Sequence, residues 1–117
     1  MLGLSMKTSD KNNIHSKDYI DKLIFEKNLR IRNLFFDKSL DLMLVVLSNK
    51  VVLKAKISDF PALASAPSAQ LENWQLIGQG VGIHWPDLDE DISLRGLIKD
   101  YALSKALEKF EDTLFLD

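Results

Sequence analysis

Three apolar-rich runs follow one another through the first half of the chain: Arg30 to Phe36, Leu40 to Leu47 and Val51 to Ile57. They are of strand length, rich in Val, Ile, Leu and Phe, and separated by the short polar spacers Asp37-Lys38-Ser39 and Ser48-Asn49-Lys50, a pattern that predicts a β-meander. The third run alternates, with Val51, Leu53, Ala55 and Ile57 set against Lys54 and Lys56, as in a sheet with one dry and one wet face. Asn49 tolerates the positive φ that a tight hairpin turn needs, and is expected to carry it.

Outside these runs the period changes. Residues 1–15 are polar and aperiodic and predict a flexible N-terminal tail. From Ser16, a residue suited to capping, Tyr19, Ile20, Leu23 and Ile24 fall at helical spacing, although Leu23-Ile24-Phe25 equally suits the start of an extended run. After Asp59-Phe60-Pro61, the positions Gln70, Leu71, Trp74 and Leu76 predict a helix from near Pro67 to Gly78. Val81 to Trp85 is a short extended segment closed by Pro86. From about Ser93, Leu94, Leu97, Ile98, Tyr101, Leu107, Phe110 and Leu114 space a second helix. The expected class is α+β: a small antiparallel three- to four-stranded sheet covered by two to three helices, with residues 16–117 forming one domain.

Composition narrows the class without naming an activity. With 117 residues, 46% hydrophobic and 27% charged, the chain has room for one core and the balance of an ordinary globular protein. Its longest apolar run, Leu40 to Leu47, falls well short of the roughly 18 to 20 residues that span a bilayer. The apolar patch of Met1, Leu2, Leu4 and Met6 is too short for a secretory signal, so a cytoplasmic protein without membrane contact is expected. Cysteine is absent, which removes disulfides, thiolate nucleophiles and cysteine-bound zinc together. Residues 1–38 hold eight Lys/Arg against five Asp/Glu, and residues 81–117 hold four against nine. That basic excess is small and interrupted by Asp18, Asp21 and Glu26, so nucleic-acid binding is disfavoured.

The densest cluster of chemistry-bearing residues lies between Trp74 and Leu94. Gly78, Gly80 and Gly82 suggest a phosphate loop, but that fingerprint needs a strand before it and a helix after it. Here the order is reversed, and a left-handed stop with a close approach to the sheet is expected instead. His84, three residues before Asp87, has the makings of a base oriented by a carboxylate. No nucleophile accompanies it, since Ser65, Ser68 and Ser93 sit where helices start, so no catalytic residue is assigned. Asp87, Asp89 and Asp91 alternate like half a calcium loop, yet Ile92 and Ile98 occupy the positions that need Gly and Glu. No metal or cofactor is expected; Asp91 or Ser93 is expected to cap the last helix. Trp74 and Trp85 are expected in the core, and become interface candidates if exposed.

One composite stretch is more specific. An indole at Trp74, a glycine-rich turn, Gly82-Ile83-His84-Trp85-Pro86 and then Asp87-Leu88-Asp89-Glu90-Asp91 resemble the bacterial family catalogued as domain of unknown function 2442, with Phe60-Pro61 adding to the match. The resemblance covers roughly residues 29–98. Many relatives have Asp-Gly where this chain has Asn49-Lys50, a departure that affects the turn alone.

The resemblance implies a protein-binding regulator, because members are often encoded beside a small partner in the manner of a toxin and its antitoxin. Its binding residues are then sought in the motif: Trp74, His84, Trp85, Asp87 and Asp89, with the acidic C-terminal third complementing a basic partner. Some longer relatives append a helix-turn-helix. Only about 20 residues follow the matched region here, too few for that module, so the alternative, a DNA-binding regulator, would have to make its contacts through Lys17, Lys22, Lys27, Arg30 and Arg32. A small metal- or ligand-binding domain built on His84, Asp87 and Asp89 is a further one. Apolar faces at Ile20, Leu23, Ile24 and Phe25 and along the last helix also point to a homodimer.

Overall fold

In the computed structural model, residues 19–115 are described; the expected tail and the Ser16 cap lie outside them. A helical segment from Tyr19 ends in a π-helical turn, Lys22–Glu26. Arg30 folds back over it, its guanidinium donating to the carbonyls of Ile24 (2.5 Å) and Leu29 (2.8 Å), which supplies acceptors at a helix end with the charge they favour.

Strands β1 (Ile31–Asp37), β2 (Leu42–Leu47) and β3 (Val52–Lys56) form the expected antiparallel meander. A bulge between Ile31 and Asn33 turns both Ile31 and Leu34 inward despite their odd spacing. With Met43, Val45, Leu47 and Leu53 they make the buried face. The other face is less polar than strict alternation implies. Phe35 and Val52 are exposed there, and Leu44, half-buried, pairs with Phe35 on one side and Lys54 on the other. At the β2–β3 turn Lys50, not Asn49, takes the positive φ (72°); Asn49 instead accepts the Val51 amide at 3.1 Å. The side chain that stabilises the turn and the residue that adopts its left-handed position are neighbours rather than one residue.

After a 3-10 turn at Ile57–Asp59, two one-turn helices follow, α1 (Pro61–Ala64) and α2 (Ser68–Leu71). The expected helix from Pro67 to Gly78 is therefore corrected. It stops at Leu71, and Gln75–Ile77 is strand β4. Leu71 and Trp74 are three apart and imitate a helical face, but from Trp74 the burial alternates with period two, half-buried Trp74 and Leu76 against exposed Gln75 and Ile77.

β4 opens a second antiparallel meander with β5 (Gly82–Trp85) and β6 (Glu90–Ser93). The α+β class stands, with six strands in two sheets. Ile83, Trp85 and Ile92 are buried on one side of this sheet, and Gln75, His84 and Asp91 form a cross-strand row on the other. The long helix α3 (Leu94–Phe115) starts directly from β6. Ser93 caps it, its hydroxyl accepting the Gly96 amide at 3.0 Å. The first half of α3 packs against β3 and β6, so it bridges the two meanders and buries Leu94 and Leu97. Arg95 pairs with Asp21, tying the N-terminal helical segment to α3. Among the described residues no helix is long and apolar enough to cross a membrane.

Candidate functional site

The residues between Trp74 and Leu94 build the second sheet and its turns. Gly78 and Gln79 both have positive φ in the β4–β5 turn, followed by Gly80 at 121°. The left-handed geometry and close approach expected of the glycines are present, but a strand and not a helix runs into them. The Gly80 carbonyl accepts the Ile31 amide at 2.8 Å, and a Cβ on Gly80 would lie 2.5 Å from the Ile31 carbonyl oxygen. Only glycine allows that contact between the sheets.

Trp85 is fully buried. Its indole Nε1 donates to the Leu71 carbonyl at 2.9 Å, and its ring meets Phe36 edge-on with centroids 6.4 Å apart. A wholly buried Trp85 has no surface to offer a partner, so its place in the motif is that of a core anchor. Trp74 is half-buried and packs against the same core. Pro86-Asp87-Leu88-Asp89 forms the β5–β6 turn, closed by the Leu88 amide donating to the Trp85 carbonyl at 3.1 Å. Asp89 takes the left-handed position (φ 49°), and Asp87 accepts a 2.9 Å hydrogen bond from the Asn73 side chain. Both aspartates are exposed.

His84 does not meet Asp87. Its Nδ1 lies 2.5 Å from Asp91, its cross-strand neighbour on β6. A separation of three residues suits a helix, whereas here a turn intervenes and strand register chooses the carboxylate. Thus the motif residues are engaged separately, Trp85 in the core, His84 with Asp91, Asp87 with Asn73 and Asp89 in the turn. Among the described residues no three of His, Asp or Glu converge in an arrangement that could hold a metal ion.

A concavity lies elsewhere among the described residues, between β3, the β1–β2 turn and the side of α3. It encloses about 600 Å³. Leu53, Ala55, Phe60, Leu97 and Tyr101 supply its apolar surface, and Leu40 projects at its mouth, 69% exposed. Its charged lining comprises Asp41, Asp59, Asp100 and Glu108 against Lys54 and Lys56. Asp41 is held in place: its carboxylate accepts the Ser58 hydroxyl (2.5 Å) and amide (2.8 Å). Those hydrogen bonds, the hydroxyl first, hold its carboxyl below the usual carboxylate range. Sequence reading missed this groove because its walls, β3 and α3, lie far apart in the chain; the traces it leaves are the alternation of β3 and the Leu97/Tyr101 pair one helical turn apart. Arg30, a candidate for phosphate contact, is committed to the carbonyls of Ile24 and Leu29.

Residues 31–102 match the family described as Protein of unknown function (DUF2442). No curated protein matches the chain. Among solved structures, a protein of unknown function from Rhodospirillum rubrum is similar, with 32% identity and a TM-score of 0.54 over 62% of this chain and 87% of its own. An uncharacterised protein from Chromobacterium violaceum shares the fold at 24% identity and a TM-score of 0.56, over 74% of this chain and 78% of its own. The match over residues 31–102 spans more than half of the sequence, both meanders and the start of α3, and the chain therefore belongs to the DUF2442 family.

Proposed function

We propose that the protein is a cytoplasmic protein-binding regulator whose concrete role is that of an antitoxin-like partner, occluding a small basic protein. The observation that carries this reading is the groove between β3 and α3, where an apolar surface is bordered by four carboxylates and two lysines. A partner segment presenting apolar side chains flanked by Lys or Arg complements both features. Apolar burial supplies the attraction, while the charge pattern speeds encounter and rejects acidic competitors. The exposed Leu40 at the mouth is an apolar anchor of the kind that binding surfaces use.

The experiment is affinity capture of the tagged full chain from the cells that produce it, with mass spectrometry of what co-purifies. The same capture is run with Asp59→Lys/Asp100→Lys and with Tyr101→Ala, after circular dichroism has established that each variant is folded. A small basic protein recovered in stoichiometric amount by the wild type and lost from the groove variants supports the reading. Equal recovery by wild type and variants moves the partner to another surface and overturns it.

A further inference from the structure

Helix α3 has two apolar faces. Leu94, Leu97, Ile98 and Tyr101 pack against the core. At about 100° per residue, Leu103, Leu107 and Phe110 cluster on nearly the opposite side of the helix. They are 60%, 53% and 62% exposed, a run of large apolar side chains at spacings of four and three, which is the seam of a two-helix contact.

The charges beside the seam are sorted by sign. Asp100 and Glu111 fall on one edge and Lys99 on the other, by the same angular count. That sorting selects both occupant and orientation. In two copies related by a two-fold axis parallel to the helices, the acidic edge of each α3 meets the basic edge of the other. With the axis perpendicular to the helices, acidic meets acidic and basic meets basic. Because the seam faces away from the core, the parallel arrangement leaves each domain on the outside of the pair.

We infer that a second copy of this chain covers the Leu103, Leu107 and Phe110 stripe, α3 against α3 in parallel, making the protein a dimer. This goes beyond the groove reading: the groove lies on the flank of α3 turned toward β3, and of the residues named here Leu103 and Asp100 border both.

Sedimentation equilibrium of the full chain over a range of concentrations tests it. The wild type is expected at dimer mass, and Leu107→Glu/Phe110→Glu at monomer mass with an unchanged circular dichroism spectrum. A monomeric wild type, or a dimer that survives the double substitution, overturns the inference. Orientation is read by cross-linking, since the chain has no cysteine of its own. In the parallel pair, Leu103→Cys and Phe110→Cys each form a disulfide with their own copy on mild oxidation. Cross-linking only when the two variants are mixed shows an antiparallel pair and refutes the arrangement.

Discussion

The Gly80 carbonyl accepts the Ile31 amide at 2.8 Å, joining the β4–β5 turn of one meander to the first strand of the other. The contact needs a residue without a side chain. The backbone of Gly80 has φ of 121°, and an added Cβ would lie 2.5 Å from the Ile31 carbonyl oxygen and 2.9 Å from its nitrogen, both rigid backbone atoms. Gly80→Ala is expected to cost about 2–3 kcal/mol, from left-handed strain and a clash that separates the sheets. Gly78→Ala, which meets only a Val81 methyl at 2.8 Å, is expected to cost about 1 kcal/mol. Urea unfolding of both variants checks the order; equal losses contradict it.

Trp85 sits at the junction of α2, β1 and β5. Replacing it with Phe keeps most of the volume but leaves the Leu71 carbonyl without its indole donor, at an expected cost of about 1–3 kcal/mol. Trp85→Ala is expected to cost about 3–5 kcal/mol. Chemical denaturation measures both, and a neutral Trp85→Ala would show that the residue is not the core anchor described above.

The pair formed by His84 and Asp91 lies on the open side of the second sheet, with the carboxylate largely exposed. A surface pair of this kind contributes about 0–1 kcal/mol. His84→Gln is accordingly expected to fold, with a loss below about 1 kcal/mol, and a double-mutant cycle with Asp91→Asn to give coupling within that range. Unfolding of the domain by His84→Gln would contradict this placement.

Acid sensitivity follows from Asp41 and Asp37. Hydrogen bonds from the Ser58 hydroxyl and amide lower the first below its ordinary 3.8, and bonds from the Ser39 hydroxyl and Leu40 amide lower the second. A carboxyl with a folded pKa below its unfolded one contributes stability that is fully present above the unfolded value and lost as pH falls through the folded value. The urea midpoint is therefore expected to hold from neutrality to about pH 4 and to drop below it. Asp41 has a positive φ (54°); in Asp41→Asn, whose side chain suits that conformation and still accepts from Ser58, the drop is expected to be shallower. An unchanged acid slope in the variant contradicts the assignment.

The first meander was legible because its strands are continuous apolar runs with polar spacers, and α3 because Leu94, Leu97, Ile98 and Tyr101 keep helical spacing. The second meander was largely hidden. Its strands have three or four residues each, too few for a period to declare itself, and Asp91 reads as a helix-capping acid until strand register sets it opposite His84. Of the five motif residues, Trp85, Asp87 and Asp89 are distinctive because the turn and the core require them. Proline after Trp85, an aspartate that holds Asn73 and a residue that tolerates positive φ make a hairpin. The groove left little local trace, since Asp59 and Asp100 come together only after folding.

The proposed function places a basic protein partner in the groove between β3 and α3. Isothermal titration of the co-purified small protein into the wild type and into folded Asp59→Lys/Asp100→Lys, each at low and high salt, tests it most directly. The expected result is binding weakened at least about tenfold by the charge reversal, with the salt dependence seen for the wild type reduced or inverted. Equal affinity and equal salt dependence for the two proteins would contradict the claim.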